Sequence, residues 1–333
     1  MPDAIAVRLP NWLGDTVMAV PALRALRAAH PAARVLLVGP WVSVLAGQGL
    51  AESLVTYPRA WAGRLAMSDA ARRFGADVAV LLASSTEAVL AAWYWGARRR
   101  IGFSGGGHSL LLTDAVDRPQ PRLHQIDEYL RLAEHAGGIT GDRVPRLAPP
   151  DADDPARGET RALLREVGAR EGRLLVGVHL GAAYGPAKVW PLERTAEFCR
   201  LAHAAGVDVV LLGAPGDAAG AARVAAAAPA LSLVGRDRPP LLPALLTEVD
   251  ALVSGDTGVA HLAAALGTRV ITLFGPTDAA LTAPRGAAAS YLAHPVPCSP
   301  CFYRACPIEH PCLRSIDAAA VLHGVLGGSA VRA

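Results

Sequence analysis

A small, glycine-rich loop in the second half of the chain carries the only lysine. Residues 177–191 begin as an apolar strand and continue through Gly181 and Gly185 to Lys188. The chain contains 32 Lys and Arg residues, and all except Lys188 are arginine. A single lysine among so many arginines indicates a position that needs a compact ammonium rather than a planar guanidinium, with chance survival as the alternative.

The loop around Lys188 is suited to phosphate groups. Its small residues let the backbone wrap around a phosphate, and the ammonium adds a point charge. A Walker A loop is excluded, because Lys188 has neither a glycine directly before it nor a Ser or Thr directly after it. The sequence therefore predicts a phosphate contact by Lys188 in a loop of another type.

A second candidate site lies where a strand passes into a helix, in residues 253–265. Asp256 or Thr257 can cap this helix, and Gly258 lets the backbone approach a ligand closely. The unpaired N–H groups of the first turn and the helix dipole suit a diphosphate. An ordinary capped helix is the alternative, and His261 is equally consistent with a core residue.

A third candidate site follows the first predicted strand, in residues 8–23. Asp15 lies where this strand passes into a helix, so its carboxylate is a candidate to take a proton from an acceptor hydroxyl. The alternative is that Asp15 only caps the helix. Its neighbours Asn11, Trp12 and Gly14 are candidates for acceptor contact. This turn has no G-x-G-x-x-G pattern, which argues against a nicotinamide-dependent dehydrogenase.

Four of the five cysteines lie close together near the C-terminus. Their spacing is C-x2-C-x4-C-x5-C, which matches neither a zinc ribbon nor a ferredoxin well. We expect reduced thiols and no catalytic metal. A structural metal site remains an open alternative at these four residues: Cys298, Cys301, Cys306 and Cys312.

Short apolar strands alternate with helical patterns in both halves of the chain, which predicts an α/β protein with parallel sheets. A proline-rich polar segment, residues 147–155, is the best linker. Predicted strands lie at residues 4–9, 34–38, 78–82, 174–179, 207–212, 231–234, 251–254 and 270–274. Predicted helices lie at residues 16–29, 126–136, 161–167, 192–205 and 259–265.

We expect a folded, soluble protein of the cytoplasm. The chain has 333 residues, of which 52% are hydrophobic, and this length suits two domains. A net charge of +3 and dispersed arginines argue against nucleic acid as a partner. The N-terminus has no basic segment followed by an apolar stretch, so no signal peptide is predicted. We expect any membrane contact to be peripheral, because no apolar run reaches the roughly 18 residues that span a bilayer.

Together, the three candidate sites resemble the signature segments of bacterial glycosyltransferase family 9, the ADP-heptose:lipopolysaccharide heptosyltransferases. Residues 10–15, Pro-Asn-Trp-Leu-Gly-Asp, are most similar to the heptosyltransferase II branch. The resemblance covers most of the chain, including residues 100–103 and 124–130. It implies a GT-B fold, in which two Rossmann-like domains face each other across a cleft. It also implies inversion at the anomeric carbon without a metal or cofactor.

The resemblance assigns roles to the domains and to single residues. It implies an acceptor-binding domain at residues 1–150 and an ADP-sugar-binding domain at residues 156–333, which includes the cysteine-rich tail and a last helix that could pack back on the first domain. Asp15 matches the family's general base, and Lys188 its phosphate-binding lysine. Asp256 matches a donor-sugar contact. The start of the family's diphosphate-binding helix matches Thr257, Gly258 and Val259. The histidine that follows it matches His261.

The expected activity is transfer of heptose from ADP-heptose to a hydroxyl of a lipopolysaccharide inner-core acceptor. The acceptor is expected to be lipid-linked or a saccharide, and the enzyme to work in the cytoplasm, including the inner face of the cytoplasmic membrane. The alternative is a related nucleotide-sugar glycosyltransferase that acts on a natural product or another surface glycan. A non-catalytic, metal-carrying nucleic-acid module is disfavoured, because it predicts a concentrated basic face.

Overall fold

Two α/β units make up the chain, with the division between Leu147 and Ala148. The computed structural model describes residues 1–58 and 61–327. Residues 328–333, which end the predicted second domain, lie outside the described residues. The division falls at the start of the proline-rich segment 147–155, where Asp154 caps the next helix and Pro155 occupies its first turn.

The first unit is a six-stranded parallel sheet flanked by helices. The strand order is β3-β2-β1-β4-β5-β6. The strands are β1 Ala4–Arg8, β2 Arg34–Gly39, β3 Ser53–Thr56, β4 Val78–Leu81, β5 Arg99–Phe103 and β6 Asp114–Val116. The helices are α1 Leu13–Met18, α2 Val20–Ala29, α3 Trp61–Phe74, α4 Thr86–Tyr94 and α5 Gln125–His135. Short 3-10 helices occur at Val42–Leu45 and Gly106–Leu111.

The second unit repeats this strand arrangement. Its strand order is β12-β11-β10-β7-β8-β9. The strands are β7 Leu175–His179, β8 Asp208–Leu212, β9 Leu231–Ser232, β10 Ala251–Gly255, β11 Arg269–Phe274 and β12 Ala289–Ala293. The helices are α6 Pro155–Glu166, α7 Leu192–Ala204, α8 Ala218–Ala227, α9 Leu242–Glu248, α10 Gly258–Leu266, α11 Ala279–Thr282, α12 Pro311–Arg314 and α13 Ala318–Val325. The prediction of two Rossmann-like α/β domains is confirmed.

Each sheet reverses its strand order at one point, and ligands of such sheets bind beyond the carboxyl ends of the strands at that point. In the first sheet the reversal lies between β1 and β4, and in the second between β7 and β10. β1 and β10 are buried along their whole length, as expected for central parallel strands covered by helices on both faces. The loops after β1, β7 and β10 are therefore placed to carry site residues, and these loops contain the three candidate sites.

The predicted helix at residues 16–29 is two helices, α1 and α2. Pro21 lies in the first turn of α2, and it has no N–H to continue the hydrogen bonding of α1. The last helix, α13, contacts α7, β10 and β11 of its own unit. None of the helices described here is long and apolar enough to span a bilayer.

Candidate functional site

Lys188 and Asp256 meet at the carboxyl edge of the second sheet. β7 and β10 are hydrogen-bonded neighbours, so the loops that follow them are brought together. The Nζ atom of Lys188 lies 2.6 Å from Oδ2 of Asp256 and donates a second hydrogen bond of 3.0 Å to its backbone oxygen. An ammonium has three N–H donors, so one remains for a ligand.

Glycine allows the two loops to come this close. A Cβ at Gly255 would collide with the carbonyl oxygen of Lys188. Gly185 has a φ of 148°, which L-residues rarely adopt, and a Cβ there would collide with the carbonyl oxygen of Arg304. Glycine in both motifs thus allows two backbone segments to lie in close contact.

Asp256 is a buried carboxylate with several partners. Its side chain is 6% exposed, and Oδ2 accepts a 2.7 Å hydrogen bond from Oγ1 of Thr277. The imidazole of His261 lies behind it, with Nε2 3.9 Å from Oδ1. Burial on its own would raise the pKa of Asp256, but His261 and Lys188 bring this pKa down to about 2. The carboxylate therefore stays ionised and holds the ammonium of Lys188 in place.

Helix α10 begins directly after Asp256, with Thr257 as its N-cap residue. The expectation that Asp256 or Thr257 caps this helix with its side chain is wrong. The carboxylate of Asp256 is turned towards Lys188 and Thr277, and the hydroxyl of Thr257 lies 2.9 Å from that of Ser254. The side chain of Thr257 makes no capping hydrogen bond, so the N–H groups of Gly258 and Val259 remain available to an anion.

Two further side chains of this edge were missed by the sequence analysis. The ring of Tyr184 lies beside Lys188, with Nζ 4.7 Å from the ring centroid. His179 ends β7, and burial lowers the pKa of its imidazole to about 4, so the ring is neutral near pH 7. Tyr184 lies inside the glycine-rich loop and His179 directly before it. In the sequence, this position was the only signal that either side chain belongs to the site.

Asp15 lies in the first turn of α1, at the carboxyl edge of the first sheet. The N-cap residue of α1 is Trp12, so Asp15 does not hold the capping position that was its alternative role. Its side chain is half-buried, and Oδ1 accepts a 3.2 Å hydrogen bond from the hydroxyl of Tyr129 on α5. Tyr129 is 3% exposed, and burial, followed by the charge of Asp15, raises the pKa of this phenol well above its usual value.

The acceptor-side candidates lie within four residues before Asp15 in the chain, between the end of β1 and the first turn of α1. Trp12 is 49% exposed, and Gly14 is buried within α1. Oδ1 of Asn11 accepts a 2.8 Å hydrogen bond from Nη2 of Arg8, a buried arginine that ends β1. The sequence analysis missed Arg8, whose guanidinium carbon lies 4.5 Å from the ring centroid of Tyr57.

The four clustered cysteines are reduced thiols in this structure. Cys298 is exposed, Cys312 is buried, and Sγ of Cys306 accepts a 3.2 Å hydrogen bond from the backbone N–H of His310. Across residues 1–58 and 61–327, no group of three or more His, Cys, Asp or Glu side chains is arranged to hold a metal ion. A structural metal site at these cysteines stays the alternative to the prediction of no metal.

The candidate residues thus form two sets, one in each unit. The set of the second unit, at the end of β10 and in the Lys188 loop, combines a cation with an uncapped helix start, which is an arrangement for binding a phosphorylated ligand. The set of the first unit offers a carboxylate, which can accept a proton.

The comparisons with known proteins agree with this geometry. A model of glycosyltransferase family 9 (heptosyltransferase) matches residues 64–311. The lipopolysaccharide heptosyltransferase 2 of Escherichia coli K12 is 26% identical over 291 residues, covering 83% of each chain. The lipooligosaccharide heptosyltransferase 2 of Haemophilus influenzae is 26% identical over 293 residues, covering 83% of this chain and 84% of that one.

A solved structure of E. coli ADP-heptose lipopolysaccharide heptosyltransferase II superposes with a TM-score of 0.81 at 24% identity, covering 97% of both chains. The protein is therefore an enzyme of the glycosyltransferase class. Within that class, the chain belongs to glycosyltransferase family 9, because the family model covers most of its length.

Proposed function

We propose that the protein transfers heptose from ADP-heptose to a hydroxyl of a lipopolysaccharide inner-core acceptor, with inversion of the anomeric carbon. The observation that carries the proposal is the Lys188 ammonium, held by Asp256 beside the uncapped start of α10. The names of the relatives, which are heptosyltransferases of lipopolysaccharide or lipooligosaccharide, support the donor sugar and the acceptor class.

On the donor side, the second unit stabilises the leaving group. As the bond between the anomeric carbon and the diphosphate oxygen breaks, its electron pair passes to ADP. We assign the binding of that negative charge to the third N–H of Lys188 and to the backbone N–H groups of Gly258 and Val259, and the Lys188–Asp256 contact next to the start of α10 supports this assignment. Asp256 keeps the ammonium in position and is the proposed contact to the donor sugar, with His261 behind it.

On the acceptor side, the first unit supplies the base. Asp15 takes the proton of the acceptor hydroxyl. At the same time, the oxygen of that hydroxyl attacks the anomeric carbon from the face opposite to ADP. A single displacement of this kind inverts the anomeric configuration. Asn11, Trp12 and Gly14 are the proposed acceptor contacts. We place the reaction in the cytoplasm, at the inner face of the cytoplasmic membrane, because that is where a lipid-linked acceptor would be met.

The proposal is tested by incubating the protein with ADP-heptose and a set of acceptors, and by measuring ADP release and the mass of the product. The set contains a lipopolysaccharide inner-core acceptor, other surface glycans and small natural products. We expect the inner-core acceptor to gain the mass of one heptose. Transfer only to another glycan or to a natural product would contradict the proposed acceptor, and absence of any transfer from ADP-heptose would contradict the donor.

Tyr129→Phe is expected to lower kcat by roughly tenfold and to change KM for the donor little. The substitution removes only the hydroxyl that holds Oδ1 of Asp15, and misorientation of a general base costs part of its roughly 10²–10⁴-fold contribution. Steady-state kinetics of both parameters check this. Tyr94→Phe is the matched control, because it removes a 2.5 Å hydrogen bond from Tyr94 to Asp69 in the same unit. Equal kcat values in the two variants would show that Tyr129 does not position the base.

Turnover is expected to be unchanged in excess EDTA. A cation and a helix start offer the charge stabilisation that a divalent metal provides in other transferases. The measurement is the initial rate before and after chelation. Loss of rate that magnesium or manganese restores would contradict this expectation. Loss that only zinc restores would instead support a structural site at the clustered cysteines.

A further inference from the structure

The cysteine-rich tail is hydrogen-bonded directly to the loops of the donor site. The carbonyl oxygen of Arg304 accepts a 3.0 Å hydrogen bond from the N–H of Ala187, next to Lys188. The carbonyl oxygen of Phe302 accepts one of 2.5 Å from the hydroxyl of Tyr184. The tail is therefore attached on both sides of Gly185, where a Cβ would collide with Arg304.

The same tail segment is also fixed to the loop after β11. The N–H groups of Cys301 and Phe302 donate to the carbonyl oxygen of Pro276, over 3.0 and 2.7 Å. Next to Pro276 lies Thr277, whose hydroxyl donates to Asp256. The segment 301–304 thus contacts both loops that surround the Lys188–Asp256 pair.

This attachment brings a second cation to the edge of the site. The guanidinium carbon of Arg304 lies 5.5 Å from the ring centroid of Tyr184, and Nζ of Lys188 lies 4.7 Å from the same centroid. Both cations therefore lie next to the same aromatic ring. Arg304 is exposed, and no carboxylate within the described part of the chain forms an ion pair with it.

A diphosphate needs more positive charge than the Lys188–Asp256 pair provides. The positive charge of Lys188 is offset by the buried carboxylate of Asp256, so the pair has no net charge. A diphosphate carries at least two negative charges, which the uncapped helix start compensates only in part. An arginine is suited to bind phosphate oxygens, because its guanidinium presents several N–H donors in a planar fork.

We propose that Arg304 binds the diphosphate of the donor together with Lys188, and that the cysteine-rich tail is the part of the chain that supplies this cation to the donor site. This inference rests on the proposed donor. The tail then contributes to donor binding through Arg304, and this role does not depend on the four cysteines alone.

The test is calorimetric binding of ADP and of adenosine to the full-length protein and to Arg304→Gln. The tail is anchored through the backbone of Arg304, so the substitution keeps those hydrogen bonds and removes only the charge. We expect the Kd for ADP to rise roughly tenfold, as for the loss of one charge-assisted hydrogen bond, and the Kd for adenosine to stay the same. Arg223→Gln is the matched control, since Arg223 is an exposed arginine of α8 in the same unit.

An ADP affinity of Arg304→Gln equal to that of the wild type and of Arg223→Gln would overturn the assignment of Arg304 and leave the proposed function standing. Equal weakening for ADP and adenosine would also overturn it, because a lost phosphate contact acts on ADP alone. A wild-type protein that binds no ADP would overturn the proposed donor and, with it, this assignment.

Discussion

Asp15→Asn is expected to slow turnover by roughly 10²–10⁴-fold, which is the contribution of a general base. The amide has almost the same shape as the carboxylate, and its oxygen can still accept the hydrogen bond from Tyr129. Trp12, not Asp15, holds the N-cap position of α1, so the helix loses no cap. The melting temperature is therefore expected to stay near that of the wild type, and ADP affinity to stay unchanged.

The measurement combines kcat, ADP affinity and thermal unfolding of the same preparation. Asp69→Asn is the matched control, because Asp69 also accepts a hydrogen bond from a tyrosine hydroxyl, that of Tyr94. This control is expected to turn over normally. Near-normal turnover of Asp15→Asn would show that another group of the first unit takes the proton.

Lys188→Ala is expected to lower turnover by roughly 10²–10³-fold and to weaken ADP binding, because it removes a donor aimed at the charge that develops on the leaving group. It also leaves the buried carboxylate of Asp256 without its ammonium, which costs about 3–5 kcal/mol of stability. The protein is therefore expected to fold with a lower melting temperature. The combined variant Lys188→Ala with Asp256→Asn removes this unpaired charge, and is expected to regain stability without regaining activity.

Lys188→Arg tests the significance of the only lysine. The Lys188 side chain is 11% exposed and reaches both the carboxylate and the backbone oxygen of Asp256 with one nitrogen. A planar guanidinium cannot reproduce this contact in the same space, so poor turnover is expected although the charge is kept. Turnover of Lys188→Arg at the wild-type level would refute the argument from the single lysine.

The parts of the fold that the sequence predicts well are the central strands and the loops after them. β1, β7 and β10 are mostly apolar segments, as is typical of parallel strands covered on both faces, and each is followed by a candidate site. The outer strands gave weaker signals. β3 alternates between half-buried and exposed residues, and β6 has only three residues, so neither shows an apolar run.

β5 is a strand because of tertiary contacts, and not because of a local sequence pattern. It opens with Arg99 and Arg100, which are unusual in a parallel strand. Arg99 pairs with Asp114 of the neighbouring strand, and Arg100 donates to the carbonyl oxygens of Ala97 and Leu111. These partners become visible only in the folded chain, and therefore no local pattern predicts the strand.

The candidate site was predictable where its chemistry lies within one motif. Lys188, Asp256 and the start of α10 could be identified from the types and spacing of their neighbours. Tyr129 and Arg304 could not be identified in this way. Tyr129 contacts Asp15 and Arg304 contacts Tyr184, and each pair is more than a hundred residues apart in the sequence and meets only in the folded chain.

The central claim is that Lys188 and the start of α10 hold the diphosphate of the donor. A crystal structure of the protein with a non-reactive ADP-heptose analogue, grown without divalent metal, tests this claim most directly. We expect diphosphate oxygens within hydrogen-bond distance of Nζ of Lys188 and of the backbone N–H groups of Gly258 and Val259. A diphosphate bound away from these three donors, or bound only once a metal ion is added, would contradict it.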